Sequence, residues 1–271
     1  MFLIPGIGTL DHIRMAANYG MNFIRIGADF DKVDSTSPFI DLARNLGMEV
    51  FCNFMKSYIL SPDEFGKLAL RASGFGSELV YLVDSAGGML PFEVADYILA
   101  AKAEAPDVSL GFHGHNNLGL AVANTLVCVD HGVALIDTTL QGFGRSGGNA
   151  PTEQILGALS RSGYALKVDP IKVMELGETL IRPLIERRGL SSLDVVAGQA
   201  LFHSSYMPKV INCAKRHRVD PRALIVELCK EDKANAPESL LEEIALGLKD
   251  SNPAPYVLPW GAYYGEEQEK V

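Results

Sequence analysis

The sequence lacks long apolar runs and any concentration of positive charge. No run approaches the ~18 residues that a transmembrane helix needs, and the apolar start at residues 1–4 meets Pro5 at once, which leaves it too short for a signal-peptide core. Acidic side chains number 33 against 24 basic ones, for a net charge of −9. Because such a surface repels phosphate backbones, the sequence predicts neither membrane insertion nor nucleic-acid binding.

Cysteine is scarce as well. The four cysteines are scattered and form no C-x-x-C pair: Cys52, Cys128, Cys213 and Cys229. This pattern predicts free, partly buried thiols and a cytoplasmic protein rather than a secreted, disulfide-stapled one. The sequence also has no G-x-G-x-x-G after its first apolar run, because Gly6 and Gly8 lack the third glycine. That absence argues against a dinucleotide-binding fold.

What the sequence does contain is a repeated strand-plus-helix unit. Short apolar runs begin near residues 2, 23, 50, 79, 110 and 135, at spacings of 21 to 31 residues. Runs that are apolar on both faces are typical of parallel strands buried between layers. Helix signals lie between them, such as the capping sequence at residues 61–64 and the Ser37-Pro38 start of a helix that stops at Gly47. The pattern predicts an α/β fold, either a (β/α)8 barrel or an open doubly wound sheet.

Beyond the sixth run the strand signals stop. Amphipathic segments predict helices at residues 171–188, 204–218 and 237–248, and we expect Pro208 to interrupt the second of them near its start. Prolines, glycines and charged residues dominate the end of the chain. The sequence therefore predicts three parts: a β/α part over residues 1–168, a helical extension over 169–250 and a flexible tail over 251–271.

Two histidines stand at the end of the fifth predicted strand. His113 and His115 are two residues apart, so in an extended strand their imidazoles point to the same side. The carboxyl ends of parallel strands are where α/β enzymes build their sites. A local hydrogen-bonded pair would explain an arbitrary H-x-H, but this position favours a divalent-metal site completed by a carboxylate and waters.

Two further strand ends carry polar groups. Ser85 follows the fourth run, and a hydroxyl beside glycines can hold a substrate carboxylate or carbonyl, although an ordinary polar turn is the alternative. A Gly-rich loop follows the sixth run and enters a helix at Pro151, which would place Arg145 and Asn149 near a bound ligand. Three successive strand ends with polar side chains together predict one site.

A family resemblance emerges from these motifs. Residues 113–124 together with residues 147–153 resemble the signature of the metal-dependent aldolase, lyase and acyl-transfer barrels, a family that includes isopropylmalate synthase and hydroxymethylglutaryl-CoA lyase. Residues 3–8, 43–48 and 81–87 are most similar to its 4-hydroxy-2-oxovalerate aldolase branch, and the similarity extends to about residue 230. The resemblance implies a TIM-type (β/α)8 barrel that is N-terminally incomplete, with six visible strands and a C-terminal helical extension. It also implies a class II aldolase that cleaves a 4-hydroxy-2-oxo acid to pyruvate and an aldehyde.

The same resemblance implies residue roles, a cofactor and partners. His113, His115 and Asn149 match metal ligands, whereas Ser85 and His113 match positions that contact substrate. The expected ion is Mn²⁺, with Mg²⁺, Co²⁺ and Zn²⁺ as alternatives. It would polarise the 2-oxo group and stabilise the pyruvate enolate. A cytoplasmic role in aromatic-hydrocarbon catabolism is implied too, with an aldehyde dehydrogenase or a second copy of the chain as partner.

Two departures from the family pattern bear on activity. The sequence has no Thr-Leu-Arg-Asp-Gly strand, whose aspartate is the family's third metal ligand and whose arginine stabilises the enolate. The family's substrate-covering tyrosine is matched by His203, with nearby Tyr206 as the other candidate. We therefore expect the chain to be nearly inactive alone. The alternative hypotheses are a CoA-thioester lyase or Claisen-type acyltransferase of the same family, and a non-catalytic relative that binds a partner.

Overall fold

The structure is a computed structural model that describes residues 1–185 and 191–251. The chain folds into two compact units. The first comprises Met1–Ser85, Leu90–Gly114 and Ala123–Asp137, and the second comprises Ala86–Met89, His115–Val122 and the described residues from Thr138 onward. The predicted boundaries at residues 168 and 250 stay predictions, and the predicted tail lies outside the described residues except for Ser251, the last residue of the final helix.

Six strands form one parallel sheet in sequence order. They are β1 (Phe2–Leu3), β2 (Phe23–Asp29), β3 (Glu49–Met55), β4 (Leu79–Asp84), β5 (Ser109–Gly114) and β6 (Leu135–Ile136). All six predicted apolar runs are therefore strands. A doubly wound sheet reverses its strand order at a switch point, whereas the observed order runs from β1 to β6 without reversal, as in a barrel.

Eleven α-helices lie within the described residues. They are α1 (Leu10–Asn18), α2 (Ser37–Asn45), α3 (Pro62–Gly74), α4 (Pro91–Glu104), α5 (Ala121–Asp130), α6 (Thr152–Arg161), α7 (Pro170–Leu176), α8 (Ser192–Ala200), α9 (Met207–His217), α10 (Pro221–Glu231) and α11 (Glu238–Ser251). The capping sequence before α3 is confirmed, because the Ser61 side chain accepts from the Glu64 backbone and the Glu64 carboxylate accepts from Ser61 N. None of the helices in this described portion is long and apolar enough to cross a membrane.

Side chains on the two faces of the sheet differ in character. One face is apolar and at most 4% exposed, and it consists of Ile24, Ile26, Val50, Cys52, Phe54, Val80, Leu82, Leu110 and Phe112. The opposite face carries Arg25, Asn53, Tyr81 and His113, together with an apolar cluster of Phe51, Leu79 and Val83. Cross-strand pairing places Asn53 beside Tyr81 and His113 beside Val83, two residues beyond Tyr81. Register alone therefore brings four polar side chains from four successive strands onto one surface.

The second unit is built mainly from helices. Its core is an apolar cluster from α8 to α11 in which Met207, Leu224 and Ile225 are fully buried. The predicted interruption at Pro208 is wrong: α9 begins at Met207 and Pro208 lies in its first turn. Backbone N–H groups of a first turn have no partner within the helix, so proline costs nothing there.

The other two segments predicted to be helical in this part of the chain contain helices, and the predicted free thiols are also present. The segment 171–188 is α7 followed by a π-turn at Gly177–Ile181 and a 3₁₀ turn at Arg182–Leu184, and its last residues lie outside the described ranges. The segment 237–248 is confirmed as α11. All four cysteines are free and buried, as predicted.

The first prediction concerns Tyr97 on α4, whose hydroxyl donates a hydrogen bond to the Leu60 carbonyl. Burial, and then the negative charges of Glu93 and Glu64, raise the pKa of Tyr97 to about 12. An unfolded tyrosine titrates near 10, so the folded chain keeps a proton that the unfolded chain releases. This contribution to stability is complete below pH 10 and is lost as the pH rises toward 12.

Tyr97→Phe should therefore lower the free energy of unfolding by about 1 kcal/mol at pH 7, because a buried hydrogen bond is lost. The deficit should shrink or reverse by pH 11.5, where only the parent suffers the titration penalty, of up to about 2 kcal/mol. Urea unfolding at both pH values measures this. Tyr19→Phe is the matched control, since Tyr19 is 84% exposed. A pH-independent difference between Tyr97→Phe and the parent would contradict the prediction.

Candidate functional site

A charged cluster lies on the polar face of the sheet in the first unit. Arg25 of β2 donates from Nη1 to Asp137 Oδ2 at 2.5 Å and from Nη2 to Asn53 Oδ1 at 2.5 Å. His113 Nδ1 lies 2.8 Å from the same oxygen of Asp137. The cluster thus joins β2, β3, β5 and the residue that follows β6. Its charges are only partly accessible, with the Arg25 and Asp137 side chains 18% and 24% exposed.

The neighbours of Asp137 keep this carboxyl ionised. Burial by itself raises the pKa of Asp137, but the hydrogen bond from His113 and the positive charge of Arg25 outweigh it, so the net pKa is lowered. The Tyr81 ring lies 3.6 Å from the Arg25 guanidinium carbon. Burial, and then the charge of Asp137, raise the pKa of Tyr81 to about 12, so this phenol stays protonated.

The Asp137 contact also determines that Nδ1 of the His113 ring carries a hydrogen. An ionised carboxylate only accepts hydrogen bonds, so Nδ1 of His113 carries the hydrogen. With Nδ1 held by Asp137, Nε2 is the ring nitrogen that would bind an ion. This arrangement, in which a histidine's second nitrogen donates to a carboxylate, orients metal-binding histidines in many proteins.

A glycine makes room for this cluster. Gly111 pairs with Tyr81 across β4 and β5. A Cβ at Gly111 would lie 2.7 Å from two carbons of the Tyr81 ring, closer than real Cβ contacts occur. Only glycine lets the Tyr81 ring lie flat in this position, from which it supports Arg25.

Ser85, predicted to bind substrate, lies directly after β4 in the same unit and is buried. Its Oγ accepts a hydrogen bond from the Lys56 backbone at 3.2 Å. Lys56 follows β3 in a left-handed conformation, with φ of 61°. Its Nζ lies 3.4 Å from Asp29 Oδ2. Ser85 therefore stabilises a strained turn that positions a buried cation, and its hydroxyl hydrogen remains able to donate.

In the second unit, the structure brings His115 and Asn149 together. The two form an antiparallel bridge, and His115 Nδ1 lies 3.3 Å from the Gly148 carbonyl oxygen. Asn149 donates from Nδ2 to the Phe143 carbonyl. Its other side-chain atom, Oδ1, is buried and has no hydrogen-bond partner among the described residues. An orphaned buried amide oxygen is costly unless a ligand meets it.

The Gly-rich loop contacts one of the two candidates for the family tyrosine. Arg145 Nη2 lies 3.4 Å from His203 Nε2, and His203 is only 5% exposed. The Tyr206 hydroxyl instead donates to the Ala234 carbonyl at 3.1 Å. Within this unit the geometry therefore favours His203 as the side chain that borders the loop.

Sequence reasoning missed Arg25, Asp137 and Lys56. Arg25 had a signal, because a charged residue inside an otherwise apolar strand needs a buried partner. Asp137 directly follows the short apolar run of β6 and had the same strand-end signal as Ser85. Lys56 had none, since neither its burial nor its left-handed backbone can be inferred from its neighbours in sequence.

Comparisons with known proteins identify the family of the chain. The family model described as HMGL-like matches residues 12–180. The chain belongs to the HMGL-like family. A 4-hydroxy-2-oxovalerate aldolase of Bacillus thuringiensis is 35% identical over 92% of this chain and 73% of the relative. One of Pseudomonas putida is 33% identical over 91% of this chain and 72% of the relative. The predicted family is confirmed.

Solved structures resemble this HMGL-like chain as well. The N-terminal domain of a proposed aldolase from Bacteroides vulgatus has a TM-score of 0.66 at 28% identity, over 74% of this chain and 68% of that one. The carboxyl transferase domain of Rhizobium etli pyruvate carboxylase has a TM-score of 0.72 at 15% identity, over 93% of this chain and 47% of that one. The latter likeness concerns the fold alone. Both support the barrel-like arrangement of the six strands.

The second prediction tests the charged cluster of the HMGL-like chain. Asp137→Asn removes the charge that Arg25 and His113 share, so we expect the free energy of unfolding to fall by about 2 kcal/mol. Urea unfolding with EDTA present measures the effect without any metal. The matched control is Asp11→Asn, whose ion pair with Arg14 has side chains 88% and 53% exposed and should contribute nothing measurable. Equal stabilities for the two variants would refute the structural role of Asp137.

Proposed function

We propose that the chain is a divalent-metal-dependent lyase that cleaves a 4-hydroxy-2-oxo acid into pyruvate and an aldehyde. The name shared by its relatives supports the reaction class, because they match over about nine-tenths of the chain. The observation that carries the proposal is that His113 and His115 each use Nδ1 for a hydrogen bond to a protein oxygen. We propose that both rings bind the ion through Nε2.

The proposed ligands are His113, His115 and Asn149, and the donor set fits a divalent ion. Two imidazoles and an amide oxygen suit Mn²⁺, with Mg²⁺, Co²⁺ and Zn²⁺ as alternatives. The buried, unpartnered Oδ1 of Asn149 is the kind of acceptor that an ion satisfies. When bound, the ion supplies electrophilic polarisation of the substrate's 2-oxo group.

The chain's own residues bind and orient the substrate. Ser85 and His113 are proposed to contact it, and the Ser85 hydroxyl is suited to donate to a carboxylate or carbonyl oxygen. Ser85 also fixes the backbone of Lys56, whose buried cation pairs with Asp29. In the substrate, the bond between C3 and C4 breaks. Its electron pair stays on C3, which later gains a proton. The hydroxyl group on C4 loses its proton, and C4 becomes the carbonyl carbon of the aldehyde. We propose that His203, beside Arg145, takes the place of the family tyrosine over the substrate.

The third prediction concerns the metal. His113→Ala and His115→Ala should each abolish Mn²⁺ binding measured by calorimetry, because a three-ligand site cannot lose an imidazole and still chelate. Asp137→Asn should weaken binding about 10- to 100-fold, since it removes only the support of a ligand. His131→Ala is the matched control, because His131 also bonds a protein oxygen through Nδ1 but lies at the end of α5. Equal affinity in all four variants would show that the histidines are structural.

The fourth prediction concerns turnover. Pyruvate release from 4-hydroxy-2-oxopentanoate should require Mn²⁺ and should be absent from His113→Ala. Release that survives both EDTA and His113→Ala would refute the metal mechanism.

Two other outcomes would favour the alternative functions. Cleavage of a CoA thioester in place of the oxo acid would favour the lyase or acyltransferase alternative. Tight Mn²⁺ binding with no turnover on either substrate would favour a non-catalytic relative. Association with an aldehyde dehydrogenase or with a second copy of the chain stays a prediction, which light scattering of the purified chain tests.

A further inference from the structure

A group of potential metal ligands lies in the helical unit and plays no part in the proposed reaction. Cys213 and His217 are four residues apart on α9, so they lie on the same face of the helix. Glu242 reaches them from α11. One ligand atom from each of the three, a sulfur, a nitrogen and an oxygen, lies within 4.8 Å of the other two.

Each of the three side chains of this group has a contact within or beside the group. His217 Nε2 lies 2.5 Å from Glu242 Oε2. Arg216 pairs with the other carboxylate oxygen, Oε1. The Cys213 thiol makes only a long contact, 3.5 Å, to the Leu241 carbonyl oxygen. The group is therefore a hydrogen-bonded histidine and glutamate with a thiol beside them.

Burial is graded across the group. Cys213 is 2% exposed, whereas the side chains of His217 and Glu242 are 16% and 34% exposed. The thiol thus belongs to the apolar core of α8 to α11, and the carboxylate opens to solvent. Glu242 is the most exposed of the three ligands, so an ion would enter from its side of the group.

We propose that Cys213, His217 and Glu242 form a zinc site that joins α9 to α11. Thiolate, imidazole and carboxylate are the three side-chain ligand types that Zn²⁺ takes, usually with four-coordinate geometry, so water would be the fourth ligand. A hydrogen bond accounts for His217 and Glu242, and core packing accounts for the burial of Cys213. The zinc proposal rests on the three ligand atoms lying within 4.8 Å of one another. A hard ion such as Mn²⁺ gains little from sulfur, so this site and the one proposed at His113 differ in metal preference.

Zinc binding would displace protons from Cys213 and His217. Zinc forms bonds to Cys213 Sγ, His217 Nε2 and Glu242 Oε2, and the thiol releases its proton to solvent. The imidazole binds as a neutral ring with its hydrogen on Nδ1. The ion takes the place of the hydrogen between Nε2 and Oε2: a neutral ring moves that hydrogen to Nδ1, and a doubly protonated ring releases it to solvent. Arg216 keeps its contact with Oε1, so the carboxylate stays oriented.

Cobalt tests the site directly, because Co²⁺ bound by a thiolate gives a sulfur-to-metal charge-transfer absorption in the near ultraviolet. The full chain carrying His113→Ala and His115→Ala removes the other proposed site, which contains no sulfur. We expect this background to show the absorption, and Zn²⁺ to displace it and raise the thermal midpoint of unfolding by several degrees.

Three substitutions in this background decide the assignment. Cys213→Ser should abolish the absorption, and His217→Gln, a more exposed and less disruptive change, should weaken cobalt binding at least tenfold. Cys229→Ser is the matched control, since it removes another buried thiol of the same core and should leave the absorption unchanged. Absence of the absorption before substitution, or its survival in Cys213→Ser, would overturn the proposal. Neither result depends on aldolase activity.

Discussion

The hydrogen-bond register between successive parallel strands is the constraint on which the first unit depends. Side chains alternate between the two faces of a strand, so the register in which two strands pair determines the face on which each residue lies. Here the register leaves one face apolar and groups Arg25, Asn53, Tyr81 and His113 on the other, beside an apolar cluster of Phe51, Leu79 and Val83. A slip of one residue in the register would turn the side chains of those four residues into the apolar layer. It would also turn the apolar side chains toward the face that now carries the polar cluster. The energetic cost of burying unpaired charge therefore helps to specify the fold.

The charged cluster is stable because its members satisfy one another. The guanidinium of Arg25 is held by the Asn53 amide, the Asp137 carboxylate and the Tyr81 ring. His113 completes the set by donating to Asp137. A partly buried carboxylate with two positive or donor neighbours needs no bound ligand to remain ionised. The cluster thus exists before any ion or substrate arrives, and it can orient His113 in advance, which is what preorganised sites require.

The parts that could be predicted from sequence are those governed by local chemistry. The strand starts follow from apolar runs, the start of α3 from its capping residues, and the position of His113 at a strand end from the fifth apolar run. The pairing of Arg25 with Asp137 joins residues 112 positions apart in the chain, so no local pattern indicates it. The error at Pro208 has the same origin: whether a proline breaks a helix depends on where the helix begins. The cluster of Cys213, His217 and Glu242 could not be recognised from the sequence, because Glu242 lies on a different helix from the other two residues.

Both histidine clusters combine an arginine, a carboxylate and an imidazole, and they differ in which ring nitrogen faces the carboxylate. Asp137 contacts Nδ1 of His113, so an ion at Nε2 would leave that hydrogen bond intact and gain from it. Glu242 contacts Nε2 of His217, so an ion that binds there must come between the two groups. The first carboxylate is then an outer support and the second is itself a ligand. Loss of the first should weaken metal binding, whereas loss of the second removes a bond to the metal. At the two proposed metal sites the same three residue types would therefore serve two different purposes, and the ring nitrogen that faces the carboxylate would decide which.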